Sequence, residues 1–291
     1  MSPLAPFTPC RTKNLLPTIE WSGINSRPII ATWGLIISVF AGQPNDTTYL
    51  ASANAAYAAL KMEAATTCFP RSLSQHRHGN TFPAFNVGTF YGKGTRTATL
   101  LNNSLHNGML ARLVANHHFN CMAVYANSVF ALWAPHIYNH YHERDTKLCH
   151  YFPHLPWLFP KSIFLCATFN FGPNIWTFRH CDGHNMPFGW CAVAALGVFD
   201  HMRGGHLVLR DLKLVVEFPS LRCKNPPSER ALFMQYIASG LLRFVDNQFR
   251  TKKEFKSEDP EGYARMCEGK EKQWEMGLGL LSTIDELCEP A

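Results

Sequence analysis

Residues 163–219 read IFLCATFNFGPNIWTFRHCDGHNMPFGWCAVAALGVFDHMRGGHLVLRDLKLVVEFP. Short β-rich runs alternate there with turn residues. Ile163–Phe171, Trp190–Leu196, His206–Leu209 and Leu212–Phe218 predict strands, separated by Gly172-Pro173-Asn174, Asp200 and Gly204-Gly205. Upstream the pattern is helical. The alanine-rich run 48–65 favours a helix. Leu105, Met109, Leu110 and Leu113 share one helix face by spacing. Ser128–Tyr141 predicts a further helix, with a kink or late start at Pro135. Ile29–Ala41 reads as a buried strand or a strand pair, and 69–97 as loops with short extended pieces. Pro153, Pro156 and Pro160 mark a connection. Leu232–Tyr236 predicts one more strand and Leu241–Phe249 a short amphipathic helix. A helical half followed by closely spaced strands defines an α+β protein with a sandwich or barrel core.

The chain has 291 residues, enough for one large domain or two small ones. With 46% hydrophobic and 16% charged residues it is neither disordered nor a coiled coil. The net charge of +6 is concentrated in residues 1–100, which hold eight basic and three acidic side chains. That excess permits contact with phosphate without demanding it. Arg71, Arg77, Lys93 and Arg96 are the candidates, and read conservatively they are solvated loop charges. Trp133, Trp157, Trp176 and Trp190 read as core residues rather than stacking platforms.

Ten scattered cysteines form no C-x-x-C pair, which argues against a zinc finger or a disulfide scaffold. They read as buried reduced thiols of a cytosolic or nuclear protein. The longest apolar run, Ile29–Ala41, is too short for a bilayer and too late for a signal peptide, so neither membrane insertion nor secretion is expected. The expected organisation is a loose N-terminal arm (1–36), a main domain (37–250) and a charged helical or disordered tail (251–291).

Among fourteen histidines, His180 stands in an H-x-D with Asp182. In a strand, side chains i and i+2 project from one face, so imidazole and carboxylate converge. Two legs of a 2-His-1-carboxylate iron site have this form. About 0.4 such pairs arise by chance in a chain of this composition, so the pair alone does not separate a metal site from a surface turn.

The wider context carries a resemblance. It rests on HCDGHNMPFGWC (180–191), GGHLVL (204–209) and the later QY, SGLLR, VDN and FR between 235 and 250. Upstream it includes FPAFNVGTFYGKGTRTATLLNNSLHNGMLARL (82–113), VFALWAPHIYNHYHERDTKLCHYFPHL (129–155) and GQPND (42–46). Over roughly 37–250 the chain resembles the fungal, transposon-associated branch of the TET/JBP-type dioxygenases, which use Fe(II) and 2-oxoglutarate. The resemblance implies a double-stranded β-helix (jelly-roll, cupin-like) core with N-terminal helices packed on it. It matches His180 and Asp182 to the first two iron ligands. Arg230, in SERALFMQY, matches the arginine that holds the distal carboxylate of 2-oxoglutarate, and a guanidinium forks onto a carboxylate in bidentate fashion. Asn185 matches an asparagine that hydrogen-bonds the target base, since an amide offers both donor and acceptor. His184 repeats a residue of some TET-like motifs or is a loop histidine. The implied reaction oxidises a methyl group, of the 5-methylcytosine type, in nucleic acid while 2-oxoglutarate is decarboxylated to succinate. The base must leave the duplex to react. A nuclear location follows from that substrate, and a cytoplasmic one otherwise.

The chain departs from the family at the second histidine. There the family has a Pro-Gly turn, an apolar strand and a histidine, whereas only SLRCKNPPSERALFM (220–234) joins Pro219 to Gln235. Cys223 falls where the histidine is expected and Asn225 where an asparagine is. His206 belongs to the GGHLVL pattern and is not a replacement. Three accounts stand: a segment lost at an intron boundary, a decayed copy, or Cys223 as a softer, oxidisable metal ligand. Loss of the strand would leave sheet edges and backbone groups unpaired. Two functions therefore compete: a dioxygenase acting on a methylated pyrimidine, and a catalytically inactive relative that binds or supports at most.

Overall fold

The computed structural model describes residues 16–75, 81–92, 94–173, 175–180, 182, 185–200, 204–217 and 229–289. The chain opens with β1 (Thr18–Glu20), β2 (Arg27–Ile30) and β3 (Ile36–Phe40), then α1 (Thr47–Thr66) and α2 (Arg71–Ser74). β4 (Ala84–Phe90) and β5 (Thr99–Leu100) precede three helices, α3 (Asn107–Ala115), α4 (His117–Trp133) and α5 (Pro135–Tyr151). Next come β6 (Cys166–Asn170), β7 (Ala192–Val198), β8 (Leu207–Leu209), β9 (Leu214–Glu217) and β10 (Glu229–Tyr236). The helices α6 (Ser239–Asp246), α7 (Lys252–Glu258), α8 (Pro260–Glu271), α9 (Gln273–Leu278) and α10 (Ile284–Cys288) follow. Helix and strand are thus mixed in one chain. The strands form a five-stranded sheet (β5-β4-β6-β10-β7), a three-stranded sheet (β1-β9-β8) and the hairpin β2-β3. Among the described residues no sheet closes into a barrel, and no helix is long and apolar enough to cross a membrane.

β10 organises the large sheet. It pairs antiparallel with β6 on one side and β7 on the other. Its period of two sends Ala231, Phe233 and Gln235 into the core, while Arg230, Leu232, Met234 and Tyr236 take the opposite face. Phe233 meets Phe119 of α4 and Phe169 of β6 at ring separations of 5.0 and 5.3 Å, and Phe119 lies 5.0 Å from Phe169. This aromatic triad fastens the helices to one face of the sheet.

The helices begin where local chemistry lets them. Asp46 accepts the Thr48 N–H at the start of α1, and Asn116 accepts the His118 N–H at the start of α4. Pro135 divides the segment predicted as one helix. It takes the first position of α5, where its missing N–H costs nothing, and Ala134 ends α4. Residues 29–41 fall within the strand pair β2-β3.

Four expectations are corrected. Residues 84–90, read as part of a loop region, form a seven-residue strand, because β6 supplies a partner along its length. Leu105 leaves the face of Met109, Leu110 and Leu113, since a 3₁₀ turn at Ser104–His106 precedes α3. Trp157 and Trp176 are exposed rather than core. Of the seven described cysteines, all free, Cys166 alone is buried. In the charged segment 251–291, Thr251 and Thr283 each close a capping box, with Glu254 and Glu286. Its apolar residues Leu278, Leu280 and Leu281 join the core cluster of Phe130, Tyr141 and Phe188.

One core position opposes the packing. Ile137, Tyr141, Asp145 and Leu148 share the buried face of α5. Asp145 is 1% exposed, and neither carboxylate oxygen has a hydrogen-bond partner. Burial pushes its pKa well above the ordinary carboxylate value. The folded chain therefore keeps a proton that the unfolded chain releases above about pH 4. Each further pH unit then costs about 1.4 kcal/mol until the folded carboxyl itself ionises. His140, held down to about 4 by burial and by Arg144, adds a slope of opposite sign that parent and variant share. Asp145→Asn is expected to match the parent near pH 4 and to become progressively more stable as pH rises. Urea unfolding from pH 4 to 8 checks this, and a pH-independent difference would contradict it.

Candidate metal and ligand site

The described residues of 175–190 belong to no helix or strand element, so His180 and Asp182 do not meet as strand neighbours, as their spacing suggested. Nε2 of His180 lies 3.8 Å from Oδ1 of Asp182, with the side chains 27% and 50% exposed. Nδ1 of His180 donates to the Phe178 carbonyl at 2.9 Å. That bond orients the imidazole with Nε2 on the side of Asp182. Metal-binding histidines are commonly oriented in this way. The Asn185 N–H donates to the Asp182 carbonyl at 2.9 Å, closing a turn, and Asn185 bridges to Ala238 just beyond β10. His180, Asp182 and Asn185 are thereby brought together.

Two contacts hold this loop. Arg179 pairs with Asp211 at 3.7 Å, between β8 and β9. Met186 and Phe188 are buried beside Leu281 from the C-terminal segment. The Asp182 carboxylate reaches two neighbouring groups electrostatically. Burial, and after it Asp182, raises the pKa of the Cys191 thiol. Burial and then Cys166 are the larger causes raising Tyr236, with Asp182 adding to them.

Arg230 stands at the other end of the Tyr236 face of β10. Its Nη1 donates to the Gly205 carbonyl at 2.5 Å, and its guanidinium lies 5.1 Å from the Phe199 ring. Nε is buried without a partner, and burial lowers the pKa to about 10. Among the described residues no carboxylate pairs with it. Gly205 has φ of +73°, and a Cβ there would collide with Nη1, so a glycine leaves room for the guanidinium.

His184 and Cys223 lie outside the described residues, as do Arg77, Lys93 and Asn225. Arg71, Arg96 and His206 are exposed. Among the described residues no three His, Cys, Asp or Glu side chains gather as a metal site. His180 and Asp182 are the two candidate ligands that come together among the described residues, 3.8 Å apart, and Arg230 stands apart from them on β10.

A cavity of about 320 Å³ opens beside this loop, along the free edge of β7. Among the described residues β7 pairs with β10 alone, and residues of β3 and α4 line the same cavity. Cys191 belongs to its lining. The cysteine is exposed in surface area and yet its thiol is raised by burial, as a concave wall allows by touching solvent while enclosed by protein. Gln235 also lines the cavity and is 2% exposed. Sequence reasoning did not single it out. The available signal was a polar residue at the inward phase of β10, after Ala231 and Phe233.

No protein-family model matches the chain, and no curated protein matches it.

Gly277 of α9 is the closest brace on the loop. A Cβ there would stand 2.7 Å from Cβ of Phe188 and would also overlap its ring. Gly277→Ala is expected to cost about 1–3 kcal/mol through overpacking. Gly279→Ala, whose Cβ would meet its nearest atom at 3.4 Å, serves as the near-neutral control. Chemical denaturation of both variants checks the contrast.

Proposed function

We propose that the protein is an Fe(II)- and 2-oxoglutarate-dependent dioxygenase acting on a methylated pyrimidine in nucleic acid. The observation that carries this reading is Arg230: a half-buried guanidinium whose Nε is enclosed without a hydrogen-bond partner, with no carboxylate pairing to it among the described residues. A cation desolvated in that way is costly unless an anion joins it. The distal carboxylate of 2-oxoglutarate is such an anion, and a forked guanidinium suits it. In the proposed fold, the five-stranded and three-stranded sheets are the leaves of an incompletely closed double-stranded β-helix.

His180 and Asp182 would hold the metal, with the third ligand supplied from residues 218–228, where Cys223 lies. The bound metal and 2-oxoglutarate supply activation of O₂ and the oxidising power. The chain's own residues do the rest. The Phe178 carbonyl orients His180. Arg230 anchors the co-substrate. Asn185, tied to Asp182 by the turn, offers an amide to the edge of a base. Trp176 and Phe178 form an exposed edge-to-face pair at 5.1 Å beside His180, and exposed rings of this kind stack on unpaired bases. A nuclear location accords with this substrate. The competing reading is an inactive relative. Its ground is the departure of the sequence from the family pattern at 220–234, where Cys223 stands in place of the second histidine.

Anaerobic titration with Fe(II) and 2-oxoglutarate separates the two. The dioxygenase gives a visible charge-transfer band that His180→Ala abolishes. Arg230→Met is expected to weaken 2-oxoglutarate binding by at least about tenfold, the scale of a charge-assisted hydrogen bond. It should leave thermal stability equal or higher, because an unpaired buried charge has been removed. A well-folded parent without the band leaves the inactive relative as the reading.

A further inference from the structure

The cavity bordered by β7 lies on the opposite face of β10 from Arg230. Phe233 and Gln235, inward residues of that strand, line it, whereas Arg230, Met234 and Tyr236 take the other face. Its occupancy is therefore independent of the dioxygenase reading. Met122, Tyr125, Ala126, Val129 and Phe130 of α4 also line it. That spacing, i, i+3, i+4, i+7 and i+8, is the core-facing stripe of an amphipathic helix, which a packed neighbour ordinarily covers. Here the stripe borders a cavity that it shares with residues 37–40 of β3 and 192–195 of β7.

The lining is uncharged. Among the described residues no Asp, Glu, Lys, Arg or His belongs to it. Its ionisable side chains, Tyr49, Tyr125 and Cys191, have pKa values raised chiefly by burial, so each stays neutral at neutral pH. Three of its polar groups are already engaged within the protein. Nε1 of Trp21 donates to the Asn25 carbonyl at 2.8 Å, the Tyr125 hydroxyl donates to the Gly42 carbonyl, and Oε1 of Gln235 accepts from the Ser162 hydroxyl at 3.3 Å. Ring and aliphatic surface is what remains. Trp21 and Phe40 pair at 5.4 Å, and Trp190 lies nearly parallel to Phe130 at 6.0 Å. A charged ligand would lose its hydration there and gain no counter-ion, whereas an apolar one displaces water that has few partners.

Volume sets the size of the ligand. An apolar cavity of about 150 Å³ holds benzene, and this one, at about 320 Å³, has roughly twice that space, enough for two fused rings. We infer that the cavity binds a small, neutral, apolar molecule of about ten carbon atoms, held by dispersion and ring contacts rather than by hydrogen bonds.

The test uses the full chain in equilibrium dialysis, with naphthalene as the probe and 2-naphthoate as its charged counterpart. Naphthalene is expected to saturate one site per chain, and 2-naphthoate to bind at least about tenfold more weakly. Ala126→Phe fills the space and is expected to weaken naphthalene binding by about tenfold or more. If that variant does not fold, Ala126→Leu, which suits a helix, decides by the same comparison. Absence of saturable naphthalene binding overturns the inference. So does naphthalene binding that the substitution leaves unchanged, or 2-naphthoate binding of equal strength. Sedimentation of parent and variant covers the other occupant. A parent that self-associates and that the substitution makes monomeric assigns the cavity to a second copy of the chain, and that too overturns the inference. The charge-transfer band reports on the other face of β10, so either proposal can fail alone.

Discussion

The double pairing of β10 is the constraint on which the rest depends. A strand paired on both sides cannot slide without breaking two ladders, and a slip of one residue would exchange its faces. The register with β6 and β7 therefore fixes which residues are core and which line the opposite face. Phe233 locks that choice, because it closes the triad with Phe119 and Phe169 in a space excluded from solvent. Once Phe233 is inside, Gln235 must also be inside, while Arg230 and Tyr236 must point the other way. The placements of Gln235 and of the Arg230 guanidinium are thus set by one strand.

Much of this was legible, for reasons that can be named. β6, β7 and β10 announce themselves by apolar runs bounded by Gly, Pro, Asn or Asp, and Pro135 divides α4 from α5 as its chemistry requires. β4 was hidden. Its sequence AFNVGTF carries Asn86 and Gly88 on the face that is not packed by helices, so the local pattern is too polar to declare a strand. Only pairing with β6 makes it one. The C-terminal segment misled through its charge. Leu278, Leu280 and Leu281 are few among many Lys and Glu, yet they reach the core beside Phe188. Composition averages over a segment, whereas docking depends on a handful of positions.

The site was legible as chemistry and not as geometry. H-x-D spacing and the resemblance drew attention to His180, Asp182, Asn185 and Arg230. Spacing implied a strand, but neither residue belongs to one: the Asn185 N–H holds the Asp182 carbonyl, and the Phe178 carbonyl holds His180. These are backbone interactions, which leave no trace in residue identity. Nor does sequence show that Arg230 lacks a carboxylate, since that depends on what Gly205 and Phe199 place around it.

Buried polar groups without partners fall into two kinds here, and location separates them. Asp145 sits in the helical layer among Tyr141, Cys149 and Cys166, where it has no route to a ligand. It is a cost carried by the fold. Arg230, whose Nε is the unpartnered atom, sits on β10, the strand that pairs with β7. An unpaired strand edge normally invites association with another chain. Here Phe40 of β3 and Tyr125 and Phe130 of α4 line the same cavity as β7, so bulky side chains stand where a second strand would dock.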